Sequence, residues 1–191
     1  MGLLPLLLPG LLLFAQAGNA RTLEIDPDRS SASFWVRPIW LKRIQGTFPI
    51  VEGRVNQDAV TASVWVELRI DARALQMFRA DHLSWAQGPD FFDVARHPWI
   101  HFRSEPIPEA YLRTGGEVPG QLRVRDATGW VWFQLLPAEC DNPGLGCPVF
   151  GSSQISRAAF GMGARRLAIG DKVHLSISIR TRAPITDAGE S

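Results

Sequence analysis

Residues Val60 to Ile70 read VTASVWVELRI and alternate over eleven positions. Val60, Ala62, Val64, Val66, Leu68 and Ile70 share one face, and Thr61, Ser63, Trp65, Glu67 and Arg69 share the other. Successive side chains of a strand point to opposite faces. Period two over this length therefore predicts a strand with one dry face and one wet face.

The same signal recurs along the chain. In SASFWVR, Ala32, Phe34 and Val36 oppose Ser33, Trp35 and Arg37. Ile44 to Val55 is broken by Gly46, Pro49 and Gly53, which suits a bend at a sheet edge or corner. Ile100 and Phe102 oppose Trp99, His101 and Arg103. Gln121 to Asp126 places Leu122 and Val124 inward. A turn at Ala127-Thr128-Gly129 leads into Trp130 to Leu136, with Val131, Phe133 and Leu135 on one side. That is a hairpin pattern. Ser152 to Arg157 and Arg165 to Ile169 are shorter candidates. Val173 to Arg180 closes the series with Val173, Leu175, Ile177 and Ile179 inward. Asp71 to Gln87 does not alternate. Leu75, Phe78 and Leu83 fit a helical stripe that Asp71 would cap and Gly88-Pro89 would end.

This pattern predicts about eight mostly antiparallel strands with a short helical insertion. The physical options are a sandwich or a closed barrel. An eight-stranded barrel is just wide enough for a filled core or for one ligand.

A chain of 191 residues with 46% apolar side chains suits one or at most two domains. The formal charge is +1, with the basic residues scattered, and this gives no nucleic-acid footprint. Residues 1–20 contain no charged side chain, and Leu3 to Phe14 is an apolar run. Ala15-Gln16-Ala17 is a cleavage-type triplet, and Gly18-Asn19-Ala20 is a second. This reads as a signal peptide, which makes the mature protein periplasmic or secreted. The domain then spans 21–182, followed by a polar, flexible tail at 183–191. The two cysteines, Cys140 and Cys147, flank a Pro- and Gly-containing turn. In an exported protein they are expected to form a disulfide that pins the loop.

Catalytic signals are sparse. Ser84 lacks the glycine turn of a nucleophile elbow. Asp81-His82 reads better as a polar cap than as an acid–base pair. The four histidines fall on unrelated elements, so no metal site or cofactor is expected. Trp35, Trp65, Trp99, Trp130 and Trp132 all take the outer face by parity. Large aromatics rarely sit exposed in such number, which points to partial burial, a homodimer seam or transient membrane contact.

The ordered segments resemble the YceI-like polyisoprenoid-binding family of exported bacterial proteins. Ile25-Asp26-Pro27-Asp28 and the following Ser31 to Val36 resemble its first strand, and Gln45-Gly46-Thr47-Phe48 its xGxF segment. Asp81-His82-Leu83, then Asp90-Phe91-Phe92-Asp93-Val94 and Pro98 to Ser104, resemble its most distinctive block. Gly120 to Arg125, Ile155 to Met162 and Val173 to Ile177 resemble its hairpin, its inRxxFG segment and its last strand. The likeness spans roughly residues 22–182. The spacing between His82 and Phe91 is longer than in the family, and Asp126 replaces its usual glycine.

The resemblance implies an all-β, eight-stranded antiparallel, lipocalin-like barrel with an elongated apolar pocket and no catalytic residues. Its ligand would be a polyisoprenoid, an isoprenoid quinone or another amphiphilic lipid. Phe34, Val64, Val66, Leu68, Ile100, Phe102, Leu122 and Val131 would supply the inner wall. Phe78 and Leu83 would contribute from the helical segment, with Phe91 and Phe92 walling one end. Strand parity also turns Arg157 inward. A buried Arg needs a partner, and Asp126 is the favoured one ahead of a ligand head group.

Overall fold

The computed structural model describes residues 20–38, 43–163 and 169–183. Nearly all of the signal-peptide segment, all but Ile169 of the Arg165–Ile169 candidate, and the tail beyond 183 lie outside the described residues.

Twelve strand segments form one sheet: β1 (Ala20–Glu24), β2 (Ser31–Pro38), β3 (Ile44–Phe48), β4 (Val51–Asp58), β5 (Ser63–Asp71), β6 (Gln76–Met77), β7 (Trp99–Ser104), β8 (Ile107–Pro108), β9 (Gly116–Val124), β10 (Ala127–Leu135), β11 (Val149–Ser156) and β12 (Ile169–Ile179). Among the described residues two α-helices accompany it, α1 (Ala80–Gln87) and α2 (Tyr111–Thr114). The strands run in the order β1-β4-β5-β7-β9-β10-β11-β12-β2-β3-β6, with β8 on β5. Every pairing is antiparallel. The result is a curled, lipocalin-like half-barrel with twelve segments where about eight were expected.

Part of the difference in count arises at one bend, and the rest from β1 and the two-residue segments β6 and β8. β3 pairs with β2 and β4 pairs with β5, so one stretch from Ile44 to Asp58 serves both ends of the curl. Pro49-Ile50 makes the corner between them, as the breaks in that stretch predict. Gly53 adopts φ +145°, and a Cβ there would lie 2.1 Å from the Glu67 carbonyl oxygen. Only glycine suits that bend.

The dry faces follow the alternation. Val64, Leu68, Ile70, Ile100, Phe102, Val118, Leu122, Val124, Val131 and Phe133 are buried in one core. The best-patterned strand nevertheless starts later than its alternation. Val60 is 73% exposed and Ala62 has φ +47°. Asp58 explains this, because its carboxylate accepts from the Val60 N–H and the Thr61 hydroxyl, both at 2.9 Å. That local capping turns the chain before the strand begins.

The β9–β10 hairpin also turns earlier than expected. Val124 pairs with Ala127, so Arg125-Asp126 is the loop and Arg125 takes φ +56°. Ala127 to Gly129 is strand, and Gly129 lies against the Phe160 ring. On the outer face, Trp35 stacks on His174 with centroids 3.6 Å apart and lies under Arg43. Trp99 lies under Arg69 and Arg73. Trp130 and Trp132 stay half exposed.

Candidate functional site

The inner face of the sheet encloses a cavity of about 150 Å³. Its wall includes Val173, Leu175, Ile177 and Ile179 of β12. Six residue rises separate the first from the last, about 20 Å at ~3.4 Å each. A volume this small over that length is a slot along the strands rather than a bowl. Apart from His82 and Arg157 the side chains of the wall are apolar; Ser33 and Ser176 border it but have the outward parity of their strands.

One end is covered by α1 and the loop that follows it. Asp71 caps a short 3-10 turn over Ala72–Ala74 by accepting from the Arg73 N–H. The chain then pairs briefly as β6 before α1 starts. Behind α1 the loop folds back: Phe92 N–H donates to Ala86 O, and Val94 N–H to Gln87 O. Asp93 sits buried at φ +48° and holds Arg96 through Nε at 2.6 Å. This pinned turn projects Phe91 and Phe92 toward the slot.

Phe92 packs edge-on against both Phe34 and Phe48, at 5.6 and 5.5 Å between centroids. Phe91 meets Trp85 at 4.2 Å, and its carbonyl accepts from Arg125 at 3.2 Å. Farther along the slot, Phe102 meets Phe133 at 5.1 Å. Aromatic pairs of this kind add about 0.5–1.5 kcal/mol each beyond burial, so the wall is stiff where they cluster.

Arg157 is only 2% exposed and caps the same end. Its Nε donates to Gly170 O at 3.1 Å and its Nη1 to Met162 O. The guanidinium also lies 5.8 Å from the Phe91 centroid. The expected Asp126–Arg157 pair does not form. Asp126 belongs to the two-residue turn, faces solvent, and meets His97 Nε2 at 3.5 Å. Turn geometry overrides the strand parity that pointed it inward.

Of the residues expected at the pocket, Phe34, Val66, Leu68, Phe91, Phe92, Ile100, Phe102, Leu122 and Arg157 line the cavity. Val64 and Val131 are buried in the core away from it. Leu83 packs against the core, while His82, Trp85 and Ala86 of α1 face the slot. Phe78 is fully exposed, a correction to its expected place in the wall. It precedes α1 rather than sharing a helical stripe with Leu83. Phe48, Val124, Phe133 and the four β12 residues were absent from the expected wall. For Val124, Phe133 and β12 their inward parity was signal enough. Met162 lines the cavity from a turn that carries no such pattern.

Asp81 does not serve as the expected polar cap, since α1 has no side-chain cap bond and Asp81 instead forms an exposed ion pair with Arg79. Arg79 Nη2 holds its carboxylate at 2.6 Å, and this bond keeps the carboxyl far below the ordinary range. Cys140 and Cys147 are at disulfide distance, with Cα atoms 6.0 Å apart. Their loop rests on the end of β12, where Thr181 N–H donates to Gly144 O.

A curled antiparallel half-barrel around an apolar slot defines a lipocalin-like binding fold. The chain belongs to the YceI-like family, whose domain profile matches residues 23–181. Several solved structures share the fold. BcnA of Burkholderia cenocepacia superposes with a TM-score of 0.68 at 20% identity, covering 81% of this chain and 98% of that one. A polyisoprenoid binding domain from Saccharophagus degradans, described as implicated in plant cell wall breakdown, gives 0.61 at 14%, covering 84% and 98%. The Campylobacter jejuni YceI protein gives 0.57 at 15%, covering 78% and 90%. No curated protein matches the chain in sequence.

Proposed function

We propose that this protein is an exported carrier that holds the apolar chain of an isoprenoid, an isoprenoid quinone or another long-chain amphiphile inside its barrel, without catalysis. The observation that carries this reading is the slot, which is narrow, elongated and almost free of polar side chains. A chain with many carbons and little polarity gains about 25 cal/mol for each Å² of apolar surface it buries there. Membership of the YceI-like family and the likeness to a polyisoprenoid binding domain support the same ligand class. In this reading the polar end of the ligand lies near Arg157 and His82, the two large polar groups of the wall. An uncharged, signal-like segment at 1–20 supports export.

One observation favours a second reading. The cavity volume of about 150 Å³ is well below the roughly 300–1,000 Å³ of small-molecule sites. In that alternative the barrel is simply filled, and the protein acts through a protein–protein interface on its outer tryptophans. Titrating delipidated mature protein with a quinone bearing a long isoprenoid tail separates the two. Saturable one-to-one binding, lost on Phe102→Asp in a variant that still folds, is the result expected of the carrier. Failure to bind at any concentration up to the solubility of the quinone favours the filled barrel.

A further inference from the structure

A second concave surface lies outside the barrel. On the outer face of β10, β11, β12 and β2, a groove of about 370 Å³ runs between Trp132 and the Trp35–His174 stack. Its floor is built from two cross-strand rows. Trp35, His174 and Gln154 are direct neighbours across three strands, with Trp132 beyond them on β10. Ser33, Ser176, Ser152 and Gln134 form the adjacent row in continuous register. Two strand spacings of ~4.8 Å set Trp132 and His174 about 10 Å apart.

Among the described residues no carboxylate, ammonium or guanidinium lines the groove itself, although Glu117 follows Gln134 in register and Arg43 lies over Trp35. The His174 imidazole is held below its ordinary pKa by burial and then by Arg43, Lys172 and Arg37. The other half of the outer face is quite different. There Glu52 pairs with Arg69 at 2.7 Å, and Glu67 with Arg103 at 3.3 Å.

The groove thus offers flat aromatic faces beside hydroxyls and amides that both donate and accept. A lipid chain would leave those polar groups unpaired, and no described cation lines the groove itself, the Arg43 guanidinium at its edge lying on the Trp35 ring. A sugar ring has the matching surface, an apolar C–H face and a rim of neutral hydroxyls. We propose that this groove binds a neutral carbohydrate chain, stacked on Trp132 and the His174 ring and hydrogen-bonded by Gln134, Ser152, Gln154 and Ser176. The site is independent of the lipid reading, because Trp132 and Gln154 point away from the interior.

Native affinity electrophoresis of the mature protein tests this. The gels contain hydroxyethylcellulose, xyloglucan or galactomannan, with anionic pectin and a polyproline peptide as alternatives. Retardation by at least one neutral polysaccharide is expected. Trp132→Ala and Gln154→Ala should each weaken it at least tenfold, with an unchanged circular dichroism spectrum. No retardation by any of the three, retardation that survives both substitutions, or binding only to pectin or to the proline peptide would overturn the proposal.

Discussion

Phe92 reaches out of the loop behind α1 to stand edge-on to Phe34, with ring planes at 63°. This contact ties the cover of the slot to its wall, and the Asp93 turn aims it. Phe92→Ala removes the contact and opens a void at the covered end. Because Phe92 is half-buried, the cost should sit at the low end for such truncations, about 3 kcal/mol. Urea unfolding of the mature protein measures it. A loss of only a few tenths would mean that the loop is not part of the folded core.

Gly46 leaves room for the Phe34 ring and the Leu75 side chain to pack over β3. A Cβ there would lie 2.5 Å from Phe34 Cε1 and 2.9 Å from Leu75 Cδ1. Gly46→Ala must therefore push the Phe34 ring along the slot. The expected result is a cost of about 1–3 kcal/mol together with reduced capacity for a bound chain. Denaturation and lipid content of the same preparation report both. An unchanged capacity would show that Phe34 does not bound the ligand space.

Arg157 is buried and donates to two backbone carbonyls. Arg157→Met leaves Gly170 O and Met162 O without that donor, at about 1–3 kcal/mol per group. Arg157→Lys is not expected to restore stability. One ammonium on a flexible stem does not reproduce a guanidinium that donates in two directions. Equal thermal midpoints for Lys and wild type would contradict this role.

Asp71 links stability to pH. Its carboxylate receives the Arg73 N–H and Nε at 2.9 Å and Nη2 at 2.8 Å. The Arg73 hydrogen bond is the largest cause of its lowered pKa. A carboxyl with a depressed folded pKa stabilises above its unfolded value of ~3.9, and that contribution is lost as pH falls through the folded one. Asp71→Asn should lower the melting point at pH 7 by the equivalent of about 1 kcal/mol, the usual worth of a cap. The gap should close as pH falls below ~4. A gap that is constant with pH would rule out the charge as its source.

The strands and most of the wall were legible because parity is a local property. Ile100, Phe102 and Leu122 alternate, and a half-wet sheet sends such residues inward wherever it curls. The misreadings sit where local hydrogen bonding outranks periodicity. Asp58 takes Val60 out of β5, and the Arg125-Asp126 turn rotates Asp126 into solvent. Phe78 fails for a related reason, since a short strand separates the 3-10 turn from α1 and breaks the stripe that linked Leu75, Phe78 and Leu83. The corner at Pro49-Ile50 was readable as a break, but not as the place where both ends of the curl meet. That depends on pairings far apart in the chain.

The central claim is that the slot carries a long apolar chain. The most direct measurement is solvent extraction and mass spectrometry of the mature protein, purified from a bacterial host that exports it with its own residues 1–20. An isoprenoid or other long-chain amphiphile near one per protein, and its loss in a folded Phe102→Asp variant, is the result expected. Protein that yields no such molecule, and that takes up no isoprenoid quinone when offered one, would contradict the claim.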